Sequence, residues 1–128
     1  MHQNESAENY LESILILSKR LPVVRSVDIA EELNISKPSV SVAMKKLREN
    51  ECILVSKAGF ITLTEKGKTI AASIYERHTF FSEWLISMGI PEETAVADAC
   101  RMEHDISPES FAAMKQFIKK YSKTEDAV

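Results

Sequence analysis

The apolar and polar side chains of this 128-residue chain alternate mostly with the period of amphipathic helices. Leu11 and Ile14 share one helical face and predict a first helix over residues 6–18. The same spacing predicts a short second helix capped by Ser26, and a third, longer helix that begins directly after Ser36. The chain therefore opens with one helix and then a pair of helices joined by a tight turn.

A β-hairpin is predicted after the third helix. Two short runs of β-favouring residues, 53–55 and 60–63, flank "KAG", in which Gly59 can adopt the positive φ of a tight turn. Helix, turn, helix and hairpin in this order are typical of the winged helix-turn-helix, in which the second helix of the pair enters the major groove of DNA. We therefore expect a DNA-binding unit at this end of the chain.

The rest of the chain is predicted to be helical. A long helical segment opens at Thr64 and ends near Gly89, and two shorter helices follow over residues 92–104 and 108–122. The predicted fold class is mostly α, with an N-terminal winged helix-turn-helix followed by an all-helical dimerisation domain. The predicted domains are residues 1–71 and 72–128.

The charge distribution favours a nucleic-acid partner for one segment only. Residues 37–68 carry seven basic and three acidic side chains, a net +4, whereas the whole chain carries −3. With two cysteines, no signal-peptide pattern and no aliphatic run long enough to span a bilayer, we expect a cytoplasmic protein with reduced thiols and no membrane association.

The start of the third helix carries hydroxyl groups that can meet phosphates or base edges, and lysines further along can neutralise phosphates. These positions also fit an ordinary solvated helix with capping serines. The wing and the local positive charge together favour the DNA interpretation. The predicted contacts to double-stranded DNA are Ser36, Lys37, Pro38, Ser39, Ser41, Lys45, Lys46 and Lys57.

The stretch "CRMEHD" indicates a metal site. In a helix, Cys100, Glu103 and His104 fall at i, i+3 and i+4 on one face. Their mixed donors suit Fe(II), Mn(II), Co(II) or Zn(II) better than Ca(II) or Mg(II). Each residue alone also fits a structural role, and three ligands leave the site unfinished. His78 and the polar residues of the first helix are the candidates to complete it.

The order of "SVDIAEELNISKPSVSVAMKKL", "LTEKGK", a long helix with "RH", and "ACRMEH" resembles the diphtheria toxin repressor family of metal-dependent transcriptional regulators over residues 6–122. The resemblance implies a homodimer with a winged helix for DNA, a helical dimerisation domain and metal between the two. It also implies a short form without the SH3-like third domain of longer members.

The resemblance extends to individual residues. Cys100, Glu103 and His104 match the motif of the dimerisation helix, and His78 matches a histidine at a neighbouring metal position. Glu12 matches a carboxylate of the manganese-responsive branch. Asn9 departs from the family, which has methionine or aspartate there. Because the iron branch carries cysteine where Cys100 stands, Fe(II) is the predicted metal, with Mn(II) close behind and Co(II) or Zn(II) as surrogates.

The family resemblance implies a regulator, of the repressor kind, whose binding to palindromic DNA is activated by metal and controls metal-uptake genes. An alternative is a winged-helix regulator of an organic ligand, with the Cys, Glu and His in structural roles. An enzyme is not expected, because the triplet lacks an oxyanion device and a substrate cleft. The predicted dimer contacts are Phe80, Phe81, Trp84, Leu85 and Met88.

Overall fold

The computed structural model describes the backbone of residues 2–126 and the side chains of residues 6–120. The ends of the two predicted domains, residues 1, 127 and 128, lie outside the described residues. The mostly α fold and the predicted order of elements are confirmed. In chain order the elements are α1 (His2–Arg20), α2 (Ser26–Leu33), α3 (Lys37–Glu49), β1 (Ile53–Val55), β2 (Ile61–Leu63), α4 (Glu65–Ser87), α5 (Glu92–Met102) and α6 (Pro108–Asp126).

The chain forms two compact units that divide between Tyr75 and Glu76, within α4. The boundary predicted from the sequence, after residue 71, falls four residues earlier in the same helix. The start of α4 belongs to the first unit because Ile70 and Ala71 pack in its core.

The core of the first unit is built from α1, α2, α3 and the hairpin. The side chains of Leu11, Ile14, Ile29 and Val40 are at most 1% exposed. Burial of one such aliphatic side chain stabilises a fold by about 1.5–3 kcal/mol. The helical spacing of these residues thus translates directly into the packing of α1 against the helix pair.

The turn between α2 and α3 fixes the helix pair. Asn34 ends α2 in the left-handed conformation, with φ 54°, and Ser36 caps α3 by accepting a hydrogen bond from the backbone N–H of Ser39 at 3.3 Å. The predicted cap of α2 is wrong, because the N-cap is Arg25 and not Ser26. The extended backbone of Arg25 lets its N–H donate to the Asp28 carboxylate at 2.8 Å. The start of the helix is therefore stabilised by this carboxylate and not by the hydroxyl of Ser26.

The hairpin pairs β1 with β2 in antiparallel register, with Ile53 opposite Leu63. Gly59 adopts φ 85° in the connecting turn, as predicted. A further hydrogen bond ties the hairpin to the segment before α2, because the backbone N–H of Ile61 donates to the carbonyl of Val24 at 2.8 Å. The wing is thereby fixed to the body of the first unit.

The second unit comprises the end of α4 together with α5 and α6. Phe81, Ala99 and Phe111 form its buried centre, and the rings of Phe80 and Phe111 meet edge to face with centroids 5.4 Å apart. Gly89, with φ 94°, turns the chain after α4. No helix in the described part of the chain has the length and apolarity needed to cross a membrane.

Replacement of Gly67 by alanine is expected to destabilise the first unit. A β-carbon at this position would lie 2.0 Å from the carbonyl oxygen of Cys52, a backbone atom that cannot rotate away. Alanine gains about 1 kcal/mol in helix propensity over glycine, but so close a collision is expected to reach the upper end of the usual overpacking cost, about 3 kcal/mol, and to leave a net loss of about 2 kcal/mol.

Urea denaturation would measure this loss. The control is Ser73→Ala at an exposed position of the same helix, which is expected to change stability by less than about 0.5 kcal/mol. An unchanged midpoint for Gly67→Ala would show that the junction between wing and helix yields more easily than its packing indicates.

Candidate metal centre

Three side chains of the second unit bring a nitrogen, a sulfur and a carboxylate oxygen together. They belong to His78 on α4, Cys100 on α5 and Glu103 at the end of α5, and their ligand atoms lie within 4.8 Å of one another. Nitrogen, sulfur and oxygen ligands bind a divalent ion such as zinc at about 2.0–2.3 Å, which places them about 3–4 Å apart. Small side-chain movements therefore bring this triplet to coordination distance.

The Glu103 carboxylate is the unusual member of the triplet because its side chain has no exposed surface. One oxygen, Oε2, lies 2.8 Å from Nδ1 of His78. The other, Oε1, is buried and makes no hydrogen bond. A buried carboxylate is costly unless paired or bound to a metal. A buried carboxylate with one such oxygen, clustered with an imidazole and a thiol, fits a divalent cation.

The end of α5 explains which predicted ligands come together. Glu103 caps the helix with nearly helical angles, φ −65° and ψ −22°, so Cys100 and Glu103 keep their i, i+3 relation. The helix ends at Met102, and His104 lies beyond the cap. The predicted helix over residues 92–104 was therefore too long at its C-terminal end.

His104 is not one of the three clustered donors. Its side chain is only 2% exposed, and its Nε2 lies 3.3 Å from Oε1 of Glu103, near enough for an ion pair when the imidazole is protonated, although the contact does not have hydrogen-bond geometry. The sequence grouped His104 with Cys100 and Glu103, whereas the structure groups His78 with them. His104 lies near Oε1 of the Glu103 carboxylate, whereas His78 contacts Oε2.

The two remaining predicted ligands lie on α1 in the first unit. Glu12 is buried, with 8% of its surface exposed, and Asn9 is half-buried one helical turn before it. Both remain predicted ligands: Glu12 matches the family, and Asn9 stands at a family ligand position where the residue type departs.

The residues predicted to contact DNA lie at the surface of the first unit. Val40, Met44 and Leu47 are the buried face of α3 and hold the helix on the core. The other face carries hydroxyls and ammonium groups, with Val42 exposed among them. The exposed residues are Ser36, Lys37, Pro38, Ser39, Ser41, Lys45 and Lys46 at α3, and Lys57 in the wing turn.

The residues predicted to form the dimer contact divide into two groups. Phe81 is fully buried in the core of its own unit, and Phe80 and Trp84 pack against that core. Leu85 is half-buried, and Met88 is 56% exposed. The aromatic residues thus pack in the interior of the second unit, and exposed apolar surface remains at Met88, directly after α4.

Arg77, which the sequence showed only as part of the "RH" motif, lies near the site. Arg77 is buried, and its Nη1 donates hydrogen bonds to the backbone carbonyls of Glu103 at 3.0 Å and Ile106 at 2.6 Å. A signal for it exists, since Arg77 lies three residues after Ile74 and four before Phe81, both on the buried face of α4.

Comparisons with known proteins cover both units. Residues 2–59 match the family described as "Iron dependent repressor, N-terminal DNA binding domain", and residues 64–126 match "Iron dependent repressor, metal binding and dimerisation domain". The transcriptional regulator MntR of Escherichia coli O6:H1 is 32% identical over 120 residues, which cover 94% of this chain and 77% of that protein. The HTH-type transcriptional regulator MntR of Bacillus subtilis (strain 168) is 31% identical over 122 residues, which cover 95% of this chain and 85% of that protein.

Among solved structures, the manganese regulator SloR has a TM-score of 0.79 and 29% identity to this chain. The match covers 88% of this chain and 53% of SloR, so this chain spans about half the length of that relative. The likeness extends through both units.

Substitution of Cys100 by serine is expected to remove the thiolate-to-metal charge-transfer absorption that appears when Co(II) is added to the protein. The thiol lies within the donor triplet, and a serine hydroxyl is a poor ligand for this ion. Anaerobic absorption titration measures the band. Cys52→Ser, which changes the buried thiol of the first unit, is the control and should leave the band intact. An unchanged spectrum in Cys100→Ser would exclude this thiol as a ligand.

Proposed function

This chain belongs to the iron-dependent repressor family of metal-dependent transcriptional regulators, and on that premise we propose that Fe(II) activates its homodimer to bind palindromic DNA. The observation that carries the proposal is the gathering of His78, Cys100 and Glu103 in a chain whose first unit is a winged helix. Members of the family are DNA-binding regulators and not enzymes.

The identity of the metal is argued from the donor set. Cys100 contributes a soft thiolate, which favours Fe(II) over Mn(II), whereas Mn(II) prefers oxygen donors. Mn(II) is the second candidate, because the relative SloR is described as a manganese regulator and because Glu103 supplies a hard oxygen. Glu12 and His104 remain predicted ligands because they match the family motif, and Asn9 remains one although its amide departs from that motif.

The chain's own residues prepare the site. His78 and Glu103 hold each other at 2.8 Å, and the full burial of the carboxylate keeps water from competing for it. A bound divalent cation supplies the positive charge that offsets this buried carboxylate. Metal binding and DNA binding must then assist each other by the same factor, with a coupling that is typically about 1–3 kcal/mol.

The DNA side of the proposal rests on α3 and on symmetry. A two-fold dimer presents two copies of α3 and therefore reads a palindrome with half-sites in successive major grooves. The exposed hydroxyls and lysines of α3, with Lys57 of the wing, would contact the phosphates and base edges. The proposed role in the cell is repression of metal-uptake genes.

The proposed dimer surface lies at the C-terminal end of α4 and includes Met88, the residue directly after the helix. Met88 is 56% exposed and Leu85 is half-buried, so both have apolar surface to bury against a second copy. Phe81 is fully buried within its own unit, so it has no surface left to contact a second copy and would support the dimer indirectly, through the packing of that core.

The first test is an anaerobic titration of a palindromic operator, selected from random DNA, with metal-free protein and with added Fe(II), Mn(II), Co(II) or Zn(II). We expect Fe(II) to raise DNA affinity about 5- to 150-fold, the range of typical couplings. Cys100→Ala should abolish the gain, and Cys52→Ala should retain it. Equal binding with and without every metal would reject the proposal and favour a regulator of another ligand, and a larger gain with Mn(II) would reassign the metal.

A second test concerns α3. Replacement of Lys45 and Lys46 by glutamine is expected to weaken binding to all DNA sequences alike and to reduce the slope of log K against log salt by up to about 2, because each lysine that neutralises a phosphate releases about one counterion. The control is Arg101→Gln, which removes one exposed positive charge on α5 and is matched to the replacement of either lysine alone. An unaltered slope would place these lysines away from the DNA.

A further inference from the structure

We propose that Arg77 is a positioning residue of the metal site, which fixes the segment bearing Glu103 and His104 to the helix bearing His78. The inference deepens the proposed metal function and rests on it. The structure carries it through contacts that lie entirely within the second unit.

One guanidinium nitrogen of Arg77 makes two hydrogen bonds to the segment after α5. Nη1 of Arg77 donates to the carbonyl of Glu103 at 3.0 Å and to the carbonyl of Ile106 at 2.6 Å. The last carbonyls of a helix have no partners within it and need others. One atom of α4 therefore fixes both ends of the turn that leaves α5, and this turn includes Glu103 and His104.

The guanidinium of Arg77 is held in place by burial and by an aromatic ring. It lies 5.4 Å from the centre of the Phe111 ring, and the residue is only 8% exposed. Its Nε is buried and makes no hydrogen bond, which lowers the stability of the fold. Both acceptors of Nη1 are neutral carbonyls, so the guanidinium is held by dipoles and by an aromatic ring while the Glu103 carboxylate keeps its place beside His78.

Arg77 is connected to the proposed ligands through α4. Arg77 and His78 are neighbours on α4, so the helix backbone joins the guanidinium to the imidazole. The 2.8 Å contact between His78 Nδ1 and Glu103 Oε2 therefore depends on where Arg77 holds the Glu103 backbone. Loss of a residue that orients a ligand typically lowers metal affinity about 10- to 100-fold.

The test compares Arg77→Met and Arg77→Lys in the full chain by Co(II) titration. Arg77→Met is expected to weaken Co(II) binding about 10- to 100-fold and to change the absorption bands of the bound ion. Arg77→Lys keeps a charge and a donor that can reach one carbonyl, so it should restore part of the affinity. Arg101→Met, on the exposed side of α5, is the matched control and should bind as the unaltered chain does.

A merely structural role predicts a different pattern. Met114→Ala removes a side chain packed against the core of the second unit without replacing any partner of Arg77, and it should lower the urea midpoint while leaving the Co(II) bands unchanged. In the metal-free protein, NMR signals of the His78 ring should move in Arg77→Met and stay in place in Met114→Ala. If both variants lose affinity only in proportion to lost stability, with unaltered bands and ring signals, Arg77 is structural and the inference is overturned.

The outcomes also separate this inference from the proposed function. If the unaltered chain binds Co(II) and Arg77→Met binds it equally well, the inference alone fails. If the unaltered chain binds no metal, the proposed function fails and the inference fails with it. Should Arg77→Met not fold, Arg77→Lys decides the question, because an affinity equal to that of the unaltered chain would overturn the inference.

Discussion

The second unit depends on a carboxylate that water cannot reach. Glu103 is fully buried, one oxygen meets His78, and the other lies near His104 without a hydrogen bond. Such a group lowers the stability of a metal-free fold and raises its affinity for a cation, because the same missing interaction is restored when a positive charge arrives. Under the proposed function, the same side chain thus costs stability in the metal-free fold and favours metal binding.

The first unit meets a different constraint, because one short helix must serve two surfaces. One face of α3 is buried in the core through Val40, Met44 and Leu47. The other face is exposed and carries hydroxyls and ammonium groups. The cap by Ser36 and the left-handed Asn34 set where this helix starts. A helix that reads DNA needs a fixed position, because the side chains that contact bases must be held to within about 0.5 Å.

Much of this molecule follows from local sequence signals, and the remainder depends on contacts between distant segments. Helical periodicity, the cap at Ser36 and the positive φ of Gly59 predicted the elements, and the family motif pointed to Cys100 and Glu103. The cap at Arg25 was missed because a carboxylate three residues later replaced the expected serine hydroxyl.

The sequence did not predict which of the candidate ligands lie together. His104 lies outside the donor triplet, beyond the end of α5 at Met102, and the end of a helix is harder to predict from sequence than the helix itself. Arg77 was overlooked because an arginine on a buried helical face contradicts the usual pattern of burial, and only its carbonyl partners, 26 and 29 residues away, explain it.

The size of the wing has a consequence for its dynamics. Two strands of three residues each do not form a stable hairpin alone, so the pairing of Ile53 with Leu63 survives only while Val24 and the core hold it. The amide protons of this hairpin should therefore exchange with solvent when the whole first unit opens, and not through fraying of the hairpin by itself. The wing is in this sense a reporter of the integrity of the unit that carries it.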